Sequence, residues 1–175
     1  ARQTLGERHP VIAMTLNSLS HVLVAESRPA EAAAALHEAL AIAVPALGEH
    51  HQLVAIYSIN LAVVQLTRQR PEDAAQLLRA ALAVRARAPR IVPTRRRTVA
   101  DDDRSVIGTR ALLATALVAG GHYSEAESIL LDIRRELTTQ PKASAQDISA
   151  TLNALVRLYD AWGRPEAAAP YRHHL

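Results

Sequence analysis

Apolar residues recur along this chain in steps of three and four, the period of a helix with one buried face. Ile12, Leu16, Leu19 and Leu23 are the first such run. The pattern returns after each of four related turns, Arg28-Pro29-Ala30-Glu31-Ala32, Arg70-Pro71-Glu72-Asp73-Ala74, His122-Tyr123-Ser124-Glu125-Ala126 and Arg164-Pro165-Glu166-Ala167-Ala168. These turns are offset by 42, 52 and 42 residues, so the middle interval is one period plus a ten-residue insertion. In the same register Leu19, Leu61, Leu113 and Leu155 form one column, and Ile12, Val54, Val106 and Ile148 another. Ala32, Ala74, Ala126 and Ala168 form a third, followed by Leu36, Leu78, Leu130 and then Arg172. A large apolar side chain facing a small Ala lets two helices approach closely. The Leu and Ala columns are therefore expected to be buried against one another.

The spacing predicts first helices over 10–26, 52–68, 103–119 and 145–162, and second helices over 29–46, 71–87, 123–138 and 165–173. Pro29, Pro71 and Pro165 each fall in the first turn of a second helix, where a missing N–H costs nothing. The short turns make antiparallel hairpins. The expected fold is all-α: one domain over 1–175, a right-handed α-solenoid of about four hairpins (5–46, 47–87, 101–138 and 144–175), with an irregular Arg-rich insertion over 88–100.

Composition supports helices over sheets. The chain has 175 residues, 49% of them hydrophobic, with no Phe and only 3% aromatic residues. Ala and Leu lead the helix scale, whereas strands favour aromatic and β-branched residues. The absence of Cys excludes disulfides and thiolate metal sites and fits a reducing compartment. No signal peptide or membrane span is evident, so a soluble, cytoplasmic protein is expected. Of 20 basic residues all but Lys142 are Arg, a bias that looks like GC-rich coding and points to a bacterium. A formal charge of +3 does not by itself argue for nucleic acid.

Several motifs resemble the tetratricopeptide repeat family in its 42-residue variety, found in kinesin light chains and in many bacterial signalling proteins. They are Leu5-Gly6-Glu7-Arg8-His9-Pro10, Leu16-Asn17-Ser18-Leu19-Ser20 and Ala39-Leu40 in the first repeat, and Leu47-Gly48-Glu49-His50-His51, Leu61-Ala62 and Ala81-Leu82 in the second. Gly121-His122-Tyr123-Ser124-Glu125-Ala126 and Leu152-Asn153-Ala154-Leu155 carry the likeness into the later repeats. The third repeat departs from it, with Asp103-Arg104 in place of His-Pro.

The resemblance implies a non-catalytic scaffold for protein–protein or protein–peptide interaction, with first helices lining a concave wall. Its inward positions correspond here to Asn17, Ser18, His21 and Ala25, to Ile59, Asn60, Val63 and Thr67, to Ala111, Leu112, Thr115 and Ala119, and to Asn153, Ala154, Arg157 and Ala161. The expected peptide groove is Asn17, His21, Asn60, Val63, Leu112, Thr115, Asn153 and Arg157. Asn is disfavoured inside helices, and an amide offers both a donor and an acceptor to an extended peptide. The same amides could instead tie down a neighbouring turn. His21 and Arg157 would favour acidic segments. A carboxylate clamp of the chaperone-tail type is not expected, because Gly108 and Leu112 stand where basic residues are needed.

Arg85, Arg87, Arg90, Arg95, Arg96 and Arg97 crowd into 13 residues broken by Pro89 and Pro93, which predicts a basic loop. A loop-based nucleic-acid or acidic-ligand site is the alternative function. The lack of interleaved Phe or Tyr and the adjacent Asp101, Asp102 and Asp103 argue against nucleic acid. The aspartates suit a helix N-terminus.

No enzyme, metal or cofactor motif is complete. His37-Glu38-Ala39-Leu40-Ala41 lacks the second His of a zincin helix, and His50-His51 is better read as a helix start than as a chelate. No cofactor is expected. Because the last second helix is short, a homodimer through the C-terminal end, or a purely structural self-assembly unit, is a further expectation.

Overall fold

The computed structural model describes residues 9–87, 99–139 and 143–172, with side chains of 99–105 excepted. Among them are eight α-helices and no strand: α1 (Pro10–Ala25), α2 (Pro29–Leu47), α3 (Gln52–Thr67), α4 (Pro71–Arg87), α5 (Val99–Ala119), α6 (Tyr123–Thr139), α7 (Ala145–Ala161) and α8 (Pro165–Arg172). The chain divides into two compact units, residues 1–102 and 103–175. In the first, α2 packs on both α1 and α3, and α3 packs on α4. In the second, α7 packs on both α6 and α8.

Each hairpin turns in the same way. Ser27, Gln69, Gly121 and Gly163 occupy one column of the repeat, and all four have left-handed φ, from 57° to 79°. The N–H of the next residue then reaches back five positions: Arg28 to the Leu23 carbonyl, Arg70 to Gln65, His122 to Leu117 and Arg164 to Tyr159, at 2.8–2.9 Å. This closes off carbonyls that a helix C-terminus otherwise leaves without partners. Arg28 also bridges Glu26 and Glu31, each at 2.7 Å, and its guanidinium holds the Glu31 carboxyl below the usual carboxylate range.

Two of the first helices begin with a histidine cap. His9 Nδ1 accepts from the Val11 N–H at 3.3 Å, and His51 Nδ1 accepts from the Leu53 N–H at 3.1 Å. The second shows that His50-His51 starts a helix. Ser144 caps α7 in the same manner, on the Gln146 N–H. Helix α5 starts at Val99, inside the segment expected to be irregular, so Asp101, Asp102 and Asp103 fall in its first turns, where the dipole favours negative charge.

The core of the first unit is built around α2. Ile12 and Ala13 of α1, Ala39, Ile42 and Ala43 of α2, and Val54 and Tyr57 of α3 form one cluster. Leu23, Ala32, Leu36, Leu61 and Val64 dominate a second. Being covered on two sides explains why α2 is apolar enough, by length and composition alone, to cross a membrane. Ala32, Leu36, Ala39 and Ala43 are fully buried in the protein interior.

The Ala column is buried throughout, as are Leu61, Leu113 and Leu155. Leu19 breaks its column: it is 45% exposed where Leu61 is 0% exposed. Leu61 is covered by α2, the second helix of the preceding hairpin, and α1 has no such neighbour among the described residues. Arg172, standing where Leu36, Leu78 and Leu130 stand in earlier repeats, turns outward and pairs with Asp160.

Candidate functional site

None of the sixteen expected inward positions is buried. In the first unit they lie on the side of α1 and α3 that the second helices leave open. Two of them meet there. Asn60 Nδ2 donates to Asn17 Oδ1 at 2.8 Å, linking two first helices across 43 residues of sequence. Both amides are half-buried, and the pair leaves the Asn17 Nδ2 donor and the Asn60 Oδ1 acceptor without a further partner among the described residues. One donor beside one acceptor is what the backbone of an extended peptide matches.

His21, one turn along α1 from Asn17, is exposed, and Val63 on α3 is 39% exposed, an apolar neighbour for the amide pair. Other hydroxyls of this face turn inward on their own helix. Ser18 donates to the Met14 carbonyl at 3.1 Å, and Thr67 to the Val64 carbonyl at 2.7 Å.

In the second unit the same columns are differently furnished. Leu112 is half-buried and Thr115 exposed, the latter donating to the Ala111 carbonyl at 3.0 Å. Asn153 is exposed, and its Nδ2 donates to the Ser149 carbonyl of its own helix at 3.0 Å, so it forms no amide pair. Arg157 is exposed one turn further on and makes no ion pair among the described residues. Arg90, Arg95, Arg96 and Arg97 lie outside the described residues, and only Arg85 and Arg87 of the basic run are seen, both in α4. Arg87 meets His50 Nε2 at 3.1 Å.

One cluster was not anticipated. Four of the five aromatic residues gather in the second unit: Trp162 stacks on Tyr123 at 5.7 Å and on Tyr159 at 6.5 Å, and Tyr159 stacks on Tyr171 at 5.8 Å. Beside it is an open depression lined by Gly121, His122, Tyr123, Ser124 and Trp162 among others. The guanidinium of Arg164 already covers Trp162 at 3.9 Å, and that of Arg134 covers Tyr171 at 5.3 Å. The Tyr159 hydroxyl donates to Glu127 at 2.6 Å, and burial, with that hydrogen bond, pushes its pKa upward. With its cations and hydrogen bonds supplied from within, the cluster fastens α8 onto α7. Its sequence signal was the i, i+3 pair Tyr159 and Trp162 on an otherwise aromatic-poor chain.

Among the described residues no three His, Asp or Glu side chains gather as metal ligands.

Comparison with known proteins agrees with the helical-repeat fold. Residues 11–87 match the family described as Tetratricopeptide repeat. No curated protein matches the sequence. Among solved structures, a kinesin light chain-type protein of Podosopora anserina with nearly identical TPR-like repeats superposes with a TM-score of 0.80 at 21% identity, covering 98% of this chain and 77% of that one. BtubC (BKLC) from P. vanneervenii gives 0.76 at 20% identity, over 97% of this chain and 64% of the other. Pseudomonas aeruginosa pilF gives 0.53 at 19% identity, over 91% and 57%.

Proposed function

We propose that this chain, a tetratricopeptide repeat protein by the match over residues 11–87 and by the kinesin-light-chain-like solenoid fold of its helices, binds an extended peptide segment of another protein along the open face of its first helices. Repeats of this kind generally serve as non-catalytic protein–protein interaction scaffolds. In this reading the chain binds its partner without catalysing a reaction.

The observation that carries the reading is the Asn17–Asn60 pair. Two amides inside helices are a cost in propensity that core packing does not require. Their mutual hydrogen bond holds both in one orientation, so little side-chain entropy is lost when a peptide arrives. His21 beside the pair, and Arg157 on the corresponding face of the second unit, favour a peptide with acidic side chains. Val63 and Leu112 supply apolar contact. Leu112, Thr115, Asn153 and Arg157 extend the same use to the second unit.

The test is a random dodecapeptide display library selected on the wild-type chain, with the recovered peptides labelled and titrated by fluorescence anisotropy. Asn60→Ala and Asn17→Ala should each weaken them by about tenfold, equivalent to about 1.4 kcal/mol, while the chain stays folded by circular dichroism. Acidic residues should be enriched in the selected pool. Unchanged affinity in both variants overturns the reading and leaves the amide pair as a helix-to-helix tie.

A further inference from the structure

The four hairpin turns share two positions, three residues apart, that carry charge: Arg28 and Glu31, Arg70 and Asp73, His122 and Glu125, Arg164 and Ala167. In the first turn the guanidinium grips the carboxylate with both prongs, Nε on one oxygen and Nη2 on the other, each at 2.7 Å. In the second turn Arg70 and Asp73 pair at 3.5 Å. A planar fork against a carboxylate is thus what this turn geometry holds. The fourth turn keeps the arginine but has Ala in place of the acid, and the Arg164 guanidinium lies instead on the Trp162 ring, 3.9 Å from its centroid. The third turn keeps the acid and has histidine in place of the arginine.

An imidazole does not reproduce the fork, because its two ring nitrogens point apart. A carboxylate has about four acceptor sites, so the exposed Glu125 keeps capacity for a guanidinium whatever else it touches. The space around it is shaped for one. Glu125 lines the open depression of about 630 Å³ beside the aromatic cluster, together with Tyr123, Ser124, Ser128 and Trp162. Both rings stand where the other hairpins have none: the Tyr123 column is otherwise Pro29, Pro71 and Pro165, and the Trp162 column Glu26, Arg68 and Gly120. The lining holds one carboxylate and no Lys or Arg. A guanidinium is weakly hydrated, stacks on aromatic faces and donates within its own plane, which matches rings beside a carboxylate. A cation at the start of α6 works against the helix dipole. Yet Arg28 and Arg70 stand at the starts of α2 and α4, offset by the same first-turn acid.

We propose that this depression in the second unit binds an arginine side chain of a partner protein, with its guanidinium forked on the Glu125 carboxylate and its stem against the Trp162 and Tyr123 rings. The other turns identify the occupant: it supplies from outside the group that Arg28 and Arg70 supply from within. A lysine fits less well, since an ammonium is a compact point charge that offers no planar fork. The site uses only residues of the second unit and selects a basic side chain, so it does not depend on the Asn17–Asn60 reading.

The test uses the full chain labelled with nitrogen-15 and follows the indole N–H of Trp162, the one tryptophan in the sequence. The probe is the end-capped peptide Gly-Gly-Arg-Gly-Gly, compared with peptides carrying citrulline, lysine or glutamate at the centre. The arginine peptide should shift the indole signal saturably. Citrulline, nearly the same shape without the charge, should bind at least about tenfold more weakly, and lysine should also bind more weakly. Glu125→Gln should weaken the arginine peptide by about tenfold. His122→Arg puts back the residue that the other three turns carry. Its guanidinium should take the Glu125 carboxylate, as Arg28 takes Glu31, and weaken the arginine peptide by a similar factor. An indole signal that no peptide moves overturns the proposal, as does equal binding of the arginine peptide and any of the other three. Undiminished binding to either variant overturns it too. Residues 122 and 125 are both exposed, and circular dichroism of each variant should match the wild type, so the comparison reads binding rather than folding.

Discussion

Gln69 sits with φ of 57°, a conformation that costs a residue with a Cβ about 1–2 kcal/mol. Its column partners Gly121 and Gly163 have glycine for that reason, and Ser27 bears the same strain. Gln69→Gly should therefore stabilise the chain by about 0.5–1 kcal/mol, the relieved strain being partly offset by greater freedom in the unfolded chain, as read from urea unfolding. Glycine in half of a repeat column was a visible signal of left-handed backbone there, and the other two members of the column concealed it. Tyr57 is a second strained case: its ring fills the core, yet its buried hydroxyl has no hydrogen-bond partner among the described residues, and burial pushes its pKa up. Tyr57→Phe should raise stability by about 1 kcal/mol, since the aromatic packing stays and an uncompensated polar group goes. A loss of stability instead would reveal a partner for that hydroxyl.

At the scale of elements, helix starts are set by side chains that the repeat pattern made conspicuous. His51 takes the place of a Ser or Asp cap on α3, with Nδ1 accepting the Leu53 N–H. His51→Ala should cost about 1 kcal/mol and His51→Ser should recover most of it, measured by chemical denaturation. Seven of the eight helices end within one residue of the spans that apolar spacing predicts, because a left-handed turn residue punctuates every hairpin, and a proline and a side-chain cap mark helix starts in the first, second and fourth. The exception is α5, which starts four residues before Asp103. There the prolines and arginines of the preceding segment drew the expected boundary too far along the chain, while Val99 and Ala100 are compatible with a helix.

For the molecule as a whole, the aromatic cluster and its charged partners place a titratable group at the centre of one unit. Burial and the Glu127 carboxylate hold the Tyr159 phenol protonated beyond its ordinary value of 10.0. The folded state therefore binds that proton more tightly than the unfolded state, so the contribution to stability is present below about pH 10 and is lost as pH rises past it. Unfolding followed by Trp162 fluorescence, a probe inside the cluster, should show stability falling above pH 10. In Tyr159→Phe that fall should be shallower, from a lower starting value because the Glu127 hydrogen bond is gone.

The amino-acid sequence by itself determined the period, the all-helical class, the turns and the Ala and Leu columns, because helix propensity, capping and spacing are local properties that one chain writes out in order. It also marked the amide positions. Tertiary structure alone decided which members of a column are covered and which amides meet. Leu19 and Leu61 are the same residue in the same register, yet one is half exposed and the other sealed, since burial is a property of the neighbour. Asn17 and Asn60 occupy different columns, and their pairing depends on how far adjacent first helices are staggered when α2 packs between α1 and α3.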